Sequence, residues 1–221
     1  MTPALRGSVY HQRVCGRFLL TTPGEALVEL LGLSEAPQLT PRGNIAPTEP
    51  VGLVRARAQG LGREWAMARW GLVPHWVREP LKGAPLFNAR AESVEHKPAF
   101  RDAFRERRCL IPADGFYEWT TEGRRKRPFL ISLPDRQPFA FAGLWERWRR
   151  GDDPALESCT IITTTPHAAL RELHDRMPVI LDPAEYATWL DPRATPDVLR
   201  GMLRPYWGEL VVGAAGALPA V

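Results

Sequence analysis

The fold is decided by the stretch Arg108-Cys109-Leu110-Ile111-Pro112-Ala113-Asp114-Gly115-Phe116-Tyr117-Glu118-Trp119. It contains two short apolar runs rich in β-branched and aromatic residues, at 109–111 and 116–120, and these runs predict two strands. A turn signal at Glu122-Gly123 follows, and further runs of the same kind come after it. They predict strands at residues 128–133, 139–145, 158–164 and 179–181.

Toward the N-terminus the pattern adds a hairpin and helices. Residues 51–58 and 64–70 flank Gln59-Gly60-Leu61-Gly62, an arrangement typical of a β-hairpin. A capping side chain followed by proline predicts a helix start, because proline suits the first helical position. This signal occurs at Thr22-Pro23, Thr165-Pro166, Asp182-Pro183 and Thr195-Pro196. Helical spacing covers residues 25–31 and 99–108, and the helix after Thr165 is expected to reach Leu173.

Strands and helices mix without the regular rhythm of a parallel sheet. We therefore predict an α+β fold, a single domain with a mainly antiparallel sheet that could close into a barrel, and with peripheral helices. No linker or repeat divides residues 15–221, so we assign them to one domain. Residues 1–14 carry no periodicity, and we interpret them as a leader that is disordered or precedes the true start.

Composition excludes several classes of protein. The chain has 221 residues, of which 44% are hydrophobic and 24% charged, as in ordinary globular proteins. No apolar run approaches the ~20 residues of a membrane-spanning helix. Three scattered cysteines argue against a disulfide framework or a zinc site. We expect a cytoplasmic monomer with reduced thiols that needs neither a metal nor an organic cofactor.

Arginine clusters could mark a nucleic-acid surface. The formal net charge is +4, and basic residues concentrate at 105–108, 124–127 and 147–150. Each cluster by itself is explained by a solvated surface. Arginine together with exposed aromatic residues is also what a single-stranded nucleic-acid groove uses, and the chain has eight tryptophans.

Three residues are candidates for acid–base or nucleophilic chemistry. Cys15 lies in Val14-Cys15-Gly16-Arg17-Phe18, near the N-terminus. Glu118 lies within an aromatic strand, where a carboxylate is costly unless it is paired or used for proton transfer. His174 could stabilise a helix end or act as an acid–base partner for a thiol or amine.

Other polar and aromatic residues have both structural and functional explanations. Asn88 and Arg90 could be a turn asparagine with a surface arginine, or a pair that orients an amide or phosphate. Residues 163–165 are three threonines that could seat a phosphate, although capping explains Thr165. In Trp70-Gly71-Leu72-Val73-Pro74-His75-Trp76 we expect one tryptophan in the core and one able to stack on a ligand. Cys109 and Cys159 lie in apolar strands and are interpreted as buried thiols.

Seven motifs, in order, resemble the SRAP family, the SOS-response-associated peptidases that process abasic sites in DNA. The resemblance covers residues 15 to about 190. The motifs are Cys15-Gly16-Arg17-Phe18, Asn44-Ile45-Ala46-Pro47-Thr48, the tryptophan loop 70–76, Asn88-Ala89-Arg90-Ala91-Glu92-Ser93, the stretch 108–119, Ala142-Gly143-Leu144-Trp145-Glu146 and His174-Asp175-Arg176-Met177-Pro178.

The resemblance implies a role for each matching residue. Cys15 matches the family's reactive N-terminal cysteine, which forms a thiazolidine crosslink with abasic sites in single-stranded DNA. Asn88, Glu118 and His174 match its polar site residues. The matching DNA-contacting positions are Arg17, Arg90, Trp76, Thr163, Thr165 and Arg176. Abasic-site lyase activity and self-processing peptidase activity are also implied, as is association with the nucleoid.

The position of Cys15 departs from the family pattern, because thirteen residues and Val14 precede it. Val14 could correspond to the initiating residue, since a valine codon can start translation with methionine. Alternatively, the leader is removed by self-processing, or it persists and prevents crosslinking. Two other functions stay open: an N-terminal-nucleophile hydrolase or amidotransferase, and a non-catalytic module that binds single-stranded DNA.

Overall fold

The computed structural model describes residues 16–58, 62–79, 83–122, 125–216 and 218. In chain order its strands are β1 Phe18–Leu20, β2 Arg42–Ile45, β3 Pro50–Ala56, β4 Arg63–Trp70, β5 Asn88–Arg90, β6 Arg108–Ala113, β7 Gly115–Glu122, β8 Arg125–Ser132, β9 Phe139–Trp148, β10 Leu156–Thr164, β11 Met177–Pro178, β12 Ile180–Leu181 and β13 Val211–Ala214. The α-helices are α1 Gly24–Leu31, α2 Arg101–Glu106, α3 Tyr186–Leu190 and α4 Pro196–Met202. Short 3-10 helices span Pro134–Arg136, Ala168–Leu170 and Pro183–Glu185.

The strands form two sheets. The first has the order β13-β8-β7-β1-β2 and is antiparallel throughout. The second has the order β11-β10-β4-β3-β6-β9-β12, and β5 pairs with β10 in parallel. In addition, β9 pairs with β10. The strands β10, β4, β3, β6 and β9 therefore each pair with the next, and β9 pairs again with β10. The predicted α+β class is confirmed, with one antiparallel sheet, one mixed sheet and a few short helices.

An aromatic cluster joins the two sheets. The Phe18 ring lies edge-on to Trp70, with centroids 5.1 Å apart, and edge-on to Phe141 at 5.8 Å. Phe116 meets Phe141 at 6.1 Å, and Trp70 meets Phe87 at 5.8 Å. Such pairs contribute about 0.5–1.5 kcal/mol each beyond the burial of their area. The three-residue strand β1 is therefore held by its side chains as well as by its ladder bonds.

The chain passes from the second sheet to the first at Asp114, between β6 and β7. This carboxylate is 3% exposed and accepts four hydrogen bonds. Its Oδ2 accepts from the Thr21 amide (2.5 Å), the Thr21 hydroxyl (2.7 Å) and the Thr22 amide (3.0 Å), while Oδ1 accepts from the Thr22 hydroxyl (2.7 Å). The next residue must be glycine, since a Cβ on Gly115 would lie 2.7 Å from the Ile131 carbonyl oxygen.

This clamp corrects one prediction. Thr22 was expected to cap α1, but its hydroxyl donates to Asp114, and Pro23 occupies the cap position of a helix that begins at Gly24. The helix predicted from Thr165 to Leu173 is also wrong, since only the 3-10 turn Ala168–Leu170 forms. The His167 side chain accepts from the Ala169 amide at 3.1 Å and begins that short turn.

The other two proline-marked helix starts are confirmed. Asp182 and Glu185 form a reciprocal capping box at the 3-10 helix that precedes α3, and α4 begins at Pro196. The hairpin of β3 and β4 is also confirmed, although residues 59–61 of its connection lie outside the described ranges. Within the part of the chain that the structure describes, no helix combines the length and apolar character needed to cross a membrane.

Removing the Asp114 carboxylate should destabilise the fold strongly, because several donors near the end of β1 would lose a charged acceptor. We expect Asp114→Ala to lower the free energy of unfolding by about 3 kcal/mol, and Asp114→Asn to lower it less. Urea denaturation at neutral pH measures both. The matched control is Asp152→Ala, which removes an exposed carboxylate. A loss for Asp114→Ala no larger than for the control would contradict the clamp.

Candidate functional site

The register between β1 and β7 places Glu118 beside the start of the described chain. Phe18 pairs with Phe116, and the Tyr117 amide donates to the Arg17 carbonyl oxygen at 2.9 Å. Continuing this antiparallel register by two residues from the Phe18–Phe116 pair sets Gly16 opposite Glu118, with both on the face that Phe18 and Phe116 share. Glu118 is 2% exposed, yet a Cβ added to Gly16 would meet nothing within 4 Å. Open space therefore adjoins a buried carboxylate.

Cys15 itself lies outside the described residues, so its predicted role stays a prediction. Arg17, which follows Gly16, is held by a side chain of β2 and by the backbone of β7. Arg17 Nη1 donates to Asn44 Oδ1 at 3.2 Å, and Asn44 is buried. On the other face of β7, the Tyr117 hydroxyl donates to the Gly43 carbonyl oxygen at 2.9 Å.

A second group of predicted residues gathers around β5 and β10. Asn88, the first residue of β5, pairs with Ile161, and Arg90 pairs with Thr163. Arg90 is exposed, so its guanidinium can meet a ligand from solvent. Thr163 is buried, and its hydroxyl is directed to the Ala89 carbonyl oxygen at 3.4 Å, whereas Thr165 is exposed. Of the two threonines, Thr165 is the one whose side chain faces solvent.

Arg176 is joined to this group by an ion pair with Glu92. Its guanidinium donates to both carboxylate oxygens of Glu92 and to the Thr163 carbonyl oxygen, the latter at 2.6 Å. The hydrogen bond from Arg176 holds the pKa of Glu92 below its ordinary value. The ion pair therefore ties the segment after β5 to the segment before β11.

His174 lies two residues before Arg176 and is buried. One of its ring nitrogens has no hydrogen-bond partner among the described residues. The imidazole is 5% exposed, and its Nδ1 accepts from the Arg176 amide at 3.0 Å. Asp175 Oδ1 is also 2.9 Å from Nδ1, but that carboxylate is 88% exposed and well hydrated. We therefore assign the proton to Nε2, which has no hydrogen-bond partner among the described residues.

Burial lowers the pKa of His174, and the Asp175 carboxylate opposes this shift. The ring is consequently neutral near pH 7. A neutral imidazole with a free Nε2–H is a hydrogen-bond and proton donor whose orientation is set by the backbone of its own loop.

One tryptophan of the loop 70–76 is buried and the other is exposed, as expected from the sequence. Trp70 is fully buried, while Trp76 is 55% exposed. Both neighbours of Trp76 are anchored to β9: His75 Nδ1 lies 3.1 Å from Glu146 Oε2, and Trp148 Nε1 donates to the Val77 carbonyl oxygen at 2.8 Å. An exposed indole on a fixed loop is suited to stacking on a planar ligand.

The two groups of site residues are linked by aromatic rings. Phe18 lies two residues from Gly16, and Phe87 directly precedes Asn88. Trp70 lies between these two phenylalanines and contacts both. Arg17 and Glu118 thus lie in neighbouring positions of the β1–β7 pair, with their side chains on opposite faces. Asn88 and Arg90 lie on β5, and Arg176 is joined to the segment that follows β5 through Glu92.

Sequence reasoning missed several polar residues that shape the site. Asn44 holds Arg17, Glu92 holds Arg176, and Glu146 holds His75 together with Arg107, whose Nε lies 3.0 Å from Glu146 Oε1. The sequence signal that could have found them is a polar residue inside a family motif, most clearly Glu146 at the end of the otherwise apolar motif Ala142-Gly143-Leu144-Trp145-Glu146.

The two other cysteines are confirmed as buried thiols. Cys109 and Cys159 are both fully buried, and burial raises the pKa of each. Neither thiol is poised for reaction, since the reactive form is the thiolate.

Comparison with known families identifies related proteins. A sequence model of the SOS response associated peptidase (SRAP) family matches residues 14–214. The chain is 38% identical over 201 residues to the abasic site processing protein YoqW of Bacillus subtilis, covering 87% of this chain and 88% of that protein. It is 32% identical over 184 residues to the abasic site processing protein YedK of Escherichia coli, covering 80% and 79%.

Solved structures share the architecture. A crystal structure of a Bordetella bronchiseptica protein superposes with a TM-score of 0.79 at 27% identity, covering 92% of this chain and all of that one. A Bacteroides thetaiotaomicron protein has the same fold, with a TM-score of 0.77 at 24% identity and coverage of 90% and 91%.

The pKa of His174 is directly testable. We expect its NMR titration midpoint to lie below the ordinary ~6.5. Because the folded state resists protonation, the free energy of unfolding should fall as the pH drops below about 6.5 through the folded pKa, and His174→Gln should lack this component. Asp175→Asn should lower the midpoint further, because the carboxylate raises the pKa. A titration midpoint at or above ~6.5 would contradict the conclusion that burial lowers the pKa of His174.

Proposed function

The chain belongs to the SOS response associated peptidase (SRAP) family, and we propose that it captures abasic sites in single-stranded DNA by a covalent crosslink through Cys15. In this proposal Cys15 is the first residue of the working protein. Its α-amine and thiol react together with the aldehyde of the opened abasic sugar. The relatives named abasic site processing proteins support this class of substrate.

The β1–β7 register carries the proposal: when it is continued beyond Phe18, Gly16, which follows Cys15, falls opposite the buried Glu118, and a Cβ on Gly16 would meet open space. A reacting group attached to Gly16 can reach a carboxylate that is shielded from water. Shielding strengthens proton transfer and electrostatic interactions at such a position.

The chemistry needs an N-terminal cysteine. The α-amine, with a pKa of about 7.7–8.0, is partly neutral near pH 7 and can attack the aldehyde carbon. Loss of one water gives a Schiff base, and the thiol sulfur then adds to the same carbon while its proton passes to the nitrogen. The product is a five-membered thiazolidine, and ring closure is fast because it is intramolecular. An internal cysteine has an amide nitrogen, which is not nucleophilic.

The polar residues have matching roles. Glu118 moves protons between the thiol, the amine and the leaving water, and His174 donates from Nε2 to the sugar ring oxygen as it opens. Asn88 orients the sugar or its phosphate. Trp76 stacks on a neighbouring base, and phosphates are contacted by Arg17, Arg90, Thr165 and Arg176. Thr163 serves the same contact indirectly, because its carbonyl oxygen accepts from the Arg176 guanidinium.

The same intermediate explains the other expected activities. If the thiol does not close the ring, the Schiff base permits β-elimination, which is a lyase reaction. Removal of residues before Cys15 would expose the amine, and Glu118 and His174 are the acid–base groups we assign to self-processing. A chain that retains residues 1–14 has no free amine at Cys15 and cannot crosslink.

We expect a version of the protein that begins Met-Cys15 to form an adduct with an abasic single-stranded oligonucleotide. The adduct should survive heating and denaturing electrophoresis. Cys15→Ala and Cys15→Ser both keep the α-amine but lose the thiol, so each should abolish the stable adduct and give only a Schiff base that borohydride can trap. A Cys15→Ala protein that binds abasic DNA as tightly as wild type, with no adduct in wild type, would indicate a binding module. Glutamine or peptide hydrolysis without DNA would indicate an amidohydrolase.

Proton transfer can be tested separately from binding. Glu118→Gln preserves shape and should slow adduct formation by about 10²–10⁴-fold, which is the usual contribution of a positioned acid–base group. Its affinity for an oligonucleotide with a tetrahydrofuran abasic analogue should change little, since that analogue has no aldehyde. An adduct rate equal to wild type would rule out this role for Glu118.

A further inference from the structure

We propose that one face of the β7–β8 hairpin is a phosphate-binding track, in which Arg127 and Arg125 contact the DNA strand that leaves the abasic site. The inference rests on the proposed function and deepens it by assigning a path to the flanking DNA.

The first step is to separate the arginine clusters by what they contact. Arg108 is buried and donates to backbone carbonyl oxygens, among them those of Phe104 and Trp189. Arg107 is bound to Glu106 and Glu146. In the cluster at 105–108, the guanidinium groups of Arg107 and Arg108 therefore bind other groups of the protein.

The remaining clusters differ in their relation to the site. Arg149 and Arg150 lie at the end of β9 in the second sheet, beside Asp152 and Asp153. The cluster at 125–127 lies on β8, which pairs directly with β7, the strand that carries Glu118. Only the latter is connected to Glu118 by a continuous strand register.

That register determines which side chains share a face. Glu118 pairs with Phe129, Thr120 with Arg127, and Glu122 with Arg125. Residues opposite each other in an antiparallel pair lie on the same face, and alternate residues along a strand return to it. Arg127 and Arg125 therefore share the face of Glu118, and Lys126 lies on the other.

The track is exposed and combines cationic with aromatic groups. Arg125, Lys126 and Arg127 are all exposed, and the Arg127 guanidinium lies 5.5 Å from the centre of the Phe129 ring. At about 3.3 Å per residue, Arg127 lies roughly 7 Å and Arg125 roughly 13 Å along the hairpin from Glu118. These distances correspond to roughly two and four nucleotides of a stacked strand.

The charge of the hairpin favours a polyanion. Residues 119–129 include four basic side chains and one acidic side chain. Grooves for single-stranded nucleic acid join such charges to aromatic rings on which bases stack. A single DNA strand that starts at the abasic sugar near Glu118 would meet Phe129, then Arg127, then Arg125.

The experiment compares Arg125→Ala/Arg127→Ala with Lys126→Ala, which removes a neighbouring charge from the opposite face. The probe is a single-stranded oligonucleotide of about sixteen nucleotides with a central tetrahydrofuran abasic analogue. We expect the double variant to bind roughly tenfold more weakly at moderate salt, with a salt slope smaller by about 1.4, since each lost single-strand phosphate contact removes about 0.7. Lys126→Ala should lose less than about twofold and keep its slope.

A shorter probe sharpens the test. A probe of about four nucleotides with a central analogue extends about two nucleotides to each side, so it reaches Arg127 but not Arg125, and the loss in the double variant should shrink. The track would be contradicted if the double variant and Lys126→Ala lost the same affinity per charge removed. An unchanged salt slope in the double variant would also contradict it. Thermal unfolding verifies that both variants are folded, and loss of folding is not expected at exposed positions.

Wild-type protein is tested in parallel for crosslinking to an aldehyde-bearing abasic oligonucleotide. If wild type forms no adduct, the proposed function fails. If wild type forms the adduct while the double variant binds like Lys126→Ala, only the track fails.

Discussion

Four hydrogen bonds on the buried Asp114 carboxylate fix the place where the chain changes sheets. Their donors are Thr21 and Thr22, directly after β1, so the same contact sets β1 against β7. Continuing the register of β1 by two residues beyond Phe18 then sets Gly16 opposite Glu118. A carboxylate without solvent is costly unless its donors are well placed, and here the backbone amides and hydroxyls satisfy it. The geometry of the site therefore begins with a structural interaction rather than with a reactive residue.

The site keeps features that do not favour stability. Glu118 is nearly inaccessible between two aromatic residues of β7, and His174 holds an Nε2–H with no partner among the described residues. Buried polar groups of this kind are expected where function has been favoured over packing. The surrounding residues are closely packed. Ring contacts from Phe18 to Trp70 to Phe87 link β1, which pairs with the strand of Glu118, to β5, which begins with Asn88. Glu118 is thus set on a packed strand, whereas His174 is oriented by the backbone of its own loop.

Much of this arrangement could be predicted from the sequence, and the reasons for the exceptions are physical. Alternation and turn residues predicted the hairpins, and cap-proline signals predicted α4 and the helix start at Asp182, because these features are local. The Thr22 hydroxyl was misassigned because its acceptor, Asp114, is ninety-two residues away. The helix after Thr165 failed because the His167 side chain caps a shorter turn. Arginine clusters looked alike in sequence, and only strand register and burial separated Arg108 from Arg127.

Mass spectrometry of the intact adduct is the most direct measurement. Protein that begins at Cys15 is incubated with an abasic oligonucleotide and then denatured. We predict a mass equal to the protein plus the oligonucleotide less one water, with digestion placing the link on Cys15 and borohydride leaving the mass unchanged. No adduct, or a link on a lysine that appears only after borohydride reduction, would contradict crosslinking by the Cys15 amine and thiol.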